Sequence, residues 1–345
     1  MDYYLIKGHF QVVGFSPDGD SLMFKASNPK DWDKLQSHHQ ELFEEKLKAG
    51  EGSVQLRLQG IDALETHYGP MPIPPPKGAR GKTYSKAQKP KRSTFQQPYK
   101  FGDQATHKLL SYLGVKSVKW RSSFGTKWIG AIQVETGRGL QTFQKKKTDN
   151  LEGYIVVNDI DRKGRPIAWV FGGRISSRSG TKIPTSNLVD LIKQSVNYRL
   201  VATGLVYPYF FMTLEAKLRL PLIHGVRNAQ RQKMNLWAED QTQKGITLRR
   251  FSQLTESHLI FPYLFRRMVR HQFKKQMEGY WEAVIRKKPF EANPEELHMD
   301  TFFDDTNPYV LLIDERDFVR LDSILQVSKT KLKLMTHPGN IIFLS

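Results

Sequence analysis

Three short clusters hold the residues best suited to chemistry in this chain of 345 residues. Asp18-Gly19-Asp20-Ser21 is the first, Arg57 with Ile61-Asp62 and Glu65 the second, and Asp161-Arg162-Lys163-Gly164-Arg165 the third. They supply acidic groups for a hard metal ion, one further carboxylate for a base, and two arginines whose planar forks suit a phosphate. Metal-assisted cleavage of a phosphodiester needs those groups. Singly, each cluster is commonplace: Asp-Gly between strands is most often a plain turn, Ile-Asp-x-x-Glu a strand end, and Asp-x-Lys-Gly-Arg a solvated hairpin tip. Their order, spacing and complementary charge make them a set.

The elements that must position these groups read mostly as strands. His9 to Phe15 and Ser21 to Lys25 are β-rich runs joined by Ser-Pro-Asp-Gly-Asp, a strong turn signal. Val54 to Gln59 alternates with period two, placing Val54, Leu56 and Leu58 on a core face and Arg57 on the other. Tyr154 to Val157 and Ile167 to Phe171 form a hairpin around the third cluster, and Val115 to Trp120 suits another strand. Helices are expected over residues 103–113, with Asp103 as N-cap, over 188–202, and over 221–233 with Pro221 near the start. Three insertions interrupt the strands. Residues 27–50 carry an amphipathic helix on Leu35, Leu42, Phe43 and Leu47; 68–100 form a loop; 122–153 are Gly-rich and hold Lys145-Lys146-Lys147. Beyond the clusters, residues 262–285 have apolar residues at helical spacing (Phe265, Met268, Val269, Phe273, Met277, Tyr280, Trp281), expected as core, with Arg266, Arg267, Arg270, Lys274 and Lys275 on the solvated faces. An acidic, turn-rich stretch, 291–305, leads into three or four strands over 309–345. The expected division is therefore a domain over 1–240, with its insertions, and a C-terminal helical and β region over 241–345 of unknown role.

Composition points to a polyanionic partner. The formal net charge is +19 and the isoelectric point about 9.8, as for a protein of nucleic acid or of an anionic membrane surface. Nucleic acid is the favoured partner, DNA or RNA; the basic amphipathic helix leaves a membrane-surface role as a lesser option. The loop 68–100 holds seven prolines and eight Lys/Arg with no Asp or Glu, so regular structure is not expected. Its Lys77, Arg80, Lys82, Lys86, Lys89, Lys91 and Arg92, together with Lys163, are candidate nucleic-acid contacts. The absence of cysteine excludes disulfides and thiolate metal sites. No apolar run is long enough for a membrane span, and MDYYLIKGHF lacks the pattern of a signal peptide; an intracellular, cytoplasmic protein is expected. Gly78 to Thr83 mimics the end of a P-loop, but prolines stand where its strand should be. The ten histidines show no paired metal-ligand spacing, and His38-His39 reads as solvated.

The clusters, in this order, resemble the thermonuclease, or staphylococcal nuclease-like, family. That family carries Asp-Gly-Asp-Thr between its first two strands, Arg-Leu leading into Asp-Thr-Pro-Glu, and Asp-x-Tyr-Gly-Arg at a hairpin. Here they read Asp18-Gly19-Asp20-Ser21, Arg57-Leu58 then Asp62-Ala63-Leu64-Glu65, and Asp161-Arg162-Lys163-Gly164-Arg165. Val196-Asn197 through Gly204-Leu205 to Asn235-Leu236-Trp237 is similar to its last helices, and Phe101-Gly102 to the start of its first. The resemblance spans about residues 8–238. Ala63, Leu64 and Lys163 depart from the pattern by replacing Thr, Pro and an aromatic.

The resemblance implies an α+β fold, a five-stranded OB-type barrel with flanking helices, which agrees with the strand reading. It also implies a Ca²⁺-dependent endonuclease acting on DNA or RNA. Asp20, Asp62 and the carbonyl of Ala63 would bind the metal. Glu65 would be the general base, Arg57 and Arg165 would stabilise the transition state, and Asp18 would shape the turn. Cleavage would free a 5′-hydroxyl and leave a 3′-phosphate. The alternative function is a non-catalytic nucleic-acid-binding module on the same fold; all five charged catalytic and metal-binding residues are present, which favours the enzyme.

Overall fold

The computed structural model describes residues 2–123, 126–149, 151–299, 302–303 and 307–344. The chain forms two compact units, one of residues 1–63 and 101–237, the other of residues 64–100 and 238–345.

In the first unit, period-two alternation produces strands whose apolar faces close on one another. These are β1 (Tyr3–Gln11), β2 (Ser21–Ala26) and, after helix α1 (Gln40–Ala49), β3 (Ser53–Leu58). The short β4 (Ile61–Asp62) follows, then helix α2 (Tyr99–Tyr112) and the strands β5 (Val115–Ser123), β6 (Thr126–Thr136), β7 (Gly139–Phe143), β8 (Leu151–Ile160), β9 (Pro166–Gly172) and β10 (Thr181–Ile183). β1 pairs antiparallel with β2, β2 with β3, β8 with β9 and β8 with β1, while β3 and β9 run parallel. The circuit β1-β2-β3-β9-β8-β1 is a closed five-stranded barrel, and β10 extends the β2 side of β1. The fold is α+β, with a strand order compatible with an OB-type barrel. Val54, Leu56 and Leu58 are buried as the alternation requires, alongside Phe10, Phe24, Val157 and Trp169.

Helices α3 (Thr185–Ile192), α4 (Val196–Ala202), α5 (Ala216–Arg231) and α6 (Leu236–Glu239), with the short strands β11 (Tyr207–Pro208) and β12 (Phe210–Phe211), follow the barrel. Asn197 ties α4 to it. Its Nδ2 donates to the carbonyls of Gln59 and Ala168 at 3.0 Å each, and its Oδ1 accepts from Val170 N at 2.9 Å.

Several sequence expectations need correction. Residues 188–202 form two helices, because Ser195 turns the chain and caps α4 by accepting from Tyr198 N. Pro221 is the sixth residue of α5 and lies within it. Asp103 lies inside α2 and ion-pairs with Lys127 at 3.4 Å. The Gly-rich insertion over 122–153, for which no element was expected, holds β6 and β7, which with β5 make a three-stranded antiparallel meander; residues 124, 125 and 150 are outside the described residues. In the first insertion Phe43 is buried against Trp32, but Leu42 is exposed.

The second unit is built on the long helix. β13 (Ile246–Thr247) and α7 (Gln253–Glu256) lead into α8 (Pro262–Arg286), followed by β14 (Tyr309–Leu312), β15 (Asp317–Arg320), β16 (Leu325–Val327), β17 (Lys331–Leu334) and β18 (Ile341–Phe343). The seven apolar residues expected as core on α8 are all buried. β14 pairs with β15 and β18, and β17 with β13 and β16. Residues 300, 301, 304 and 305 of the acidic stretch, and residue 345, lie outside the described residues. Before α2 begins at Tyr99, residues 68–98 have no helix or strand beyond a single helical turn at Lys77–Ala79. The segment nevertheless joins a core: Ala79 and Ala87 are buried with Phe273, Met277, Trp281 and Val284 of α8. Prolines forbid ladder hydrogen bonds but not side-chain packing. Among the described residues, no helix is long and apolar enough to cross a membrane.

Candidate functional site

The first cluster sits in the turn before β2. Ser21 Oγ donates to Asp18 Oδ1 at 2.8 Å, so Asp18 shapes the turn. Gly19 is there because of crowding: a Cβ at that position would stand 2.6 Å from the Cβ of Ala105 and 2.9 Å from that of Ala63. Asp20 follows. Its Oδ2 accepts from Ala63 N at 3.3 Å, and its carbonyl accepts from Leu58 N at 2.9 Å. The first cluster is therefore stitched to the second. Asp62 is 1% exposed and lies in β4, whose antiparallel partner is Tyr207 of β11.

Arg57 lies on β3, opposite Ser21 of β2 and beside Ile167 of β9. Its guanidinium lies 5.2 Å from the centre of the Tyr209 ring and 5.5 Å from that of Phe211. Such ring faces favour a cation and limit its freedom. The third cluster is the β8–β9 turn. Gly164 takes a positive φ of 69°, and its N–H donates to the carbonyl of Asp161 at 2.8 Å. Asp161 Oδ1 accepts from the backbone N–H groups of Lys163 and Arg165, and its Oδ2 receives Arg165 Nε at 2.9 Å and Nη2 at 2.7 Å. Burial alone would raise the Asp161 carboxyl; the charge and hydrogen bonds of Arg165, with Arg57 further off, overcome it and hold the group below its usual value. Lys163 is exposed at the turn's tip.

Within the first unit, these contacts bring the first cluster, Arg57, Asp62 and Ala63 of the second, and the third cluster to one end of the barrel. Asp20 meets Ala63, Arg57 stands across from the residue after Asp20, and Asp161 feels both Arg165 and Arg57. Asp161 was read only as part of a turn; in the structure it orients Arg165. Tyr209 and Phe211 were also missed as neighbours of Arg57. The aromatic run Tyr207-Pro208-Tyr209-Phe210-Phe211 was the available signal, but nothing in it says which ring faces an arginine.

Glu65, Lys77, Arg80, Lys82, Lys86, Lys89, Lys91 and Arg92 belong to the second unit. Glu65 Oε1 accepts from Arg266 Nη1 at 2.7 Å, with both side chains about one-fifth exposed. Arg266 had been expected on a solvated face. The seven loop cations are all exposed, with Lys89 Nζ 5.7 Å from the centre of the Trp281 ring.

As a cation site, Asp20, Asp62 and the Ala63 carbonyl offer an all-oxygen donor set, the kind that hard divalent ions take. The Asp20–Ala63 bond holds one carboxylate against the peptide that follows the other. Among the described residues no group of three or more His, Asp or Glu converges as a metal site, so such an ion would draw the rest of its ligands from carbonyl and solvent oxygen. The residues fit a hard cation on those terms.

No protein-family model matches the chain, and no curated protein matches it.

Proposed function

We propose that this chain is a divalent-cation-dependent phosphodiesterase acting on DNA or RNA, built on a staphylococcal nuclease-like barrel and using Ca²⁺. The observation that supports this best is the meeting of three sequence-distant clusters at one end of a closed barrel, two carboxylates and two arginines among them. A net charge of +19 suits the substrate.

In this reading Asp20, Asp62 and the Ala63 carbonyl would hold the ion, which when bound would supply Lewis-acid stabilisation of the phosphate charge. Arg57 and Arg165 brace the non-bridging phosphate oxygens as charge builds on them. Their forks are held ready, Arg165 by Asp161 and Arg57 by its aromatic neighbours, so little reorganisation accompanies the reaction. Glu65, three residues along the chain from Asp62, accepts the proton of the attacking water. The P–O5′ bond breaks, giving a 5′-hydroxyl and a 3′-phosphate.

Two ion pairs favour a second reading, a binding module without catalysis. Arg165 is engaged by Asp161 and Glu65 by Arg266, and groups locked in such pairs are also what a purely structural network has. Incubating the full chain with labelled single-stranded DNA and RNA, with Ca²⁺ and then with chelator, tests the choice. Chelator-sensitive cleavage supports the enzyme, whereas tight binding without cleavage in either condition supports the module.

A further inference from the structure

Glu65 is held at two levels within the second unit. Its backbone N–H donates to Gln97 Oε1 at 3.2 Å, and its carbonyl accepts from Gln97 N at 2.8 Å. Gln97 is 1% exposed, and its Nε2 donates to the carbonyl of Ile260 at 2.7 Å. Ile260 directly precedes Phe261, the N-cap of α8. One buried glutamine therefore fastens the main chain of Glu65 to the entry of that helix. The carboxylate is fastened to the same helix by Arg266, the fifth residue of α8, across 201 positions of sequence. Arg266 is itself set on a firm base, because Phe265, Met268 and Val269 around it are buried. Tyr68 and Arg270 lie in the same surroundings. Burial pushes the Tyr68 phenol up; Arg266 and Arg270 draw it back down, and Glu65 adds to the rise.

We propose that Arg266 is a positioning residue for the reaction described above, fixing the side-chain direction of Glu65, and that supplying it is a task of the C-terminal region. This rests on the nuclease reading. A glutamate side chain has three rotatable bonds, and a base must lie within hydrogen-bond reach of its proton. One charge-assisted bond from a rigid guanidinium, added to a main chain already fixed by Gln97, selects one of those directions. Displacing a reacting group by about 1 Å costs roughly 10²-fold in rate.

The test is a cycle of four full-length proteins: wild type, Arg266→Met, Glu65→Gln and the double variant, with Arg266→Lys beside them. kcat and KM are measured on one oligonucleotide with Ca²⁺, and folding is followed by circular dichroism and Tm. Arg266→Met is expected to lower kcat by roughly 10–10²-fold with KM changed less than about twofold. Arg266→Lys should recover part of that loss, and Arg266→Met should cost nothing further once Glu65 is Gln, because it acts through that carboxylate. An unchanged kcat in Arg266→Met, or the same loss in the Glu65→Gln background, overturns the proposal. If Arg266→Met does not fold, Arg266→Lys decides: a fall confined to kcat supports the role, and wild-type kcat refutes it. Full activity in Glu65→Gln, or no cleavage by wild type, removes the nuclease reading itself and this proposal with it.

Discussion

The backbone N–H of Ala63 donates to Asp20 Oδ2 at 3.3 Å, across 43 positions of sequence. This bond joins the first acidic cluster to the second and sets Asp20 beside the peptide that follows Asp62. Asp20→Asn keeps an oxygen for that N–H but removes the charge. Calcium binding, followed by calorimetry or by the rise of Tm with Ca²⁺, is expected to weaken by at least about tenfold, since hard cations depend on ligand charge. The Tm without calcium should change little. Unaltered calcium affinity would remove Asp20 from the ion's ligands.

Asn197 has no exposure, and its side chain satisfies three buried backbone groups, at Gln59, Ala168 and Val170. An unpaired buried group costs about 1–3 kcal/mol. The Ala168 carbonyl also accepts from Gln59 N, so Asn197→Leu, similar in size but without hydrogen bonds, leaves two groups unpaired and should destabilise the protein by roughly 2 kcal/mol or more, read as a lower urea midpoint. A change below about 1 kcal/mol would mean that these groups find other partners.

The Asp161 carboxyl is held below its usual value, so the sign of its effect on stability follows. Its stabilisation is fully present above the unfolded pKa of about 4 and is lost as pH falls through the lower folded value. Asp161→Asn keeps an acceptor for Lys163 N and Arg165 N but replaces the oxygen that receives the Arg165 guanidinium by an amide NH2, so it removes the ion pair. Urea unfolding from pH 6 down to pH 2 should show a shallower acid loss in the variant. Parallel curves would show that the Arg165 pair contributes nothing.

The later barrel strands were legible because one-sided burial writes period two into Val54–Leu58 and its partners, and the hairpin tips because Asp and Gly mark turns, whereas the first strand, expected over His9 to Phe15, lies at Tyr3–Gln11. Of the meander, β5 was expected in part, over Val115 to Trp120, although it is almost wholly exposed, while β6 and β7 were not expected. The two-helix break at Ser195 rests on one side-chain cap. The cluster residues were found by type and spacing, but their partners were not: the Arg266–Glu65 and Gln97–Ile260 contacts span 201 and 163 positions. Pairing at that range is decided by packing, to which local pattern is blind. That the proline-rich segment packs into a core was not legible, because small buried residues such as Ala79 and Ala87 give no periodic signal.

That segment also changes how its cations are tested. Deleting it would uncover Phe273, Met277 and Trp281, so substitution is the better probe. Replacing Lys77, Arg80, Lys82, Lys86, Lys89, Lys91 and Arg92 by Gln in a Glu65→Gln background should weaken duplex binding and flatten its log–log salt dependence by a few units, at about 0.9 per lost phosphate contact. Tm should stay near that of the parent. Superimposable salt plots would mean that these side chains do not meet the phosphates.

The most direct measurement is cleavage of a labelled oligonucleotide by the full chain with Ca²⁺, with chelator, and with Glu65→Gln, Arg57→Lys and Arg165→Lys in place of wild type. The account predicts cleavage that needs the ion, yields 3′-phosphate ends, and falls roughly 10²–10⁴-fold in kcat without the base and about 10²-fold or more without either fork. Equal cleavage in chelator, or turnover near wild type in all three variants, would contradict it.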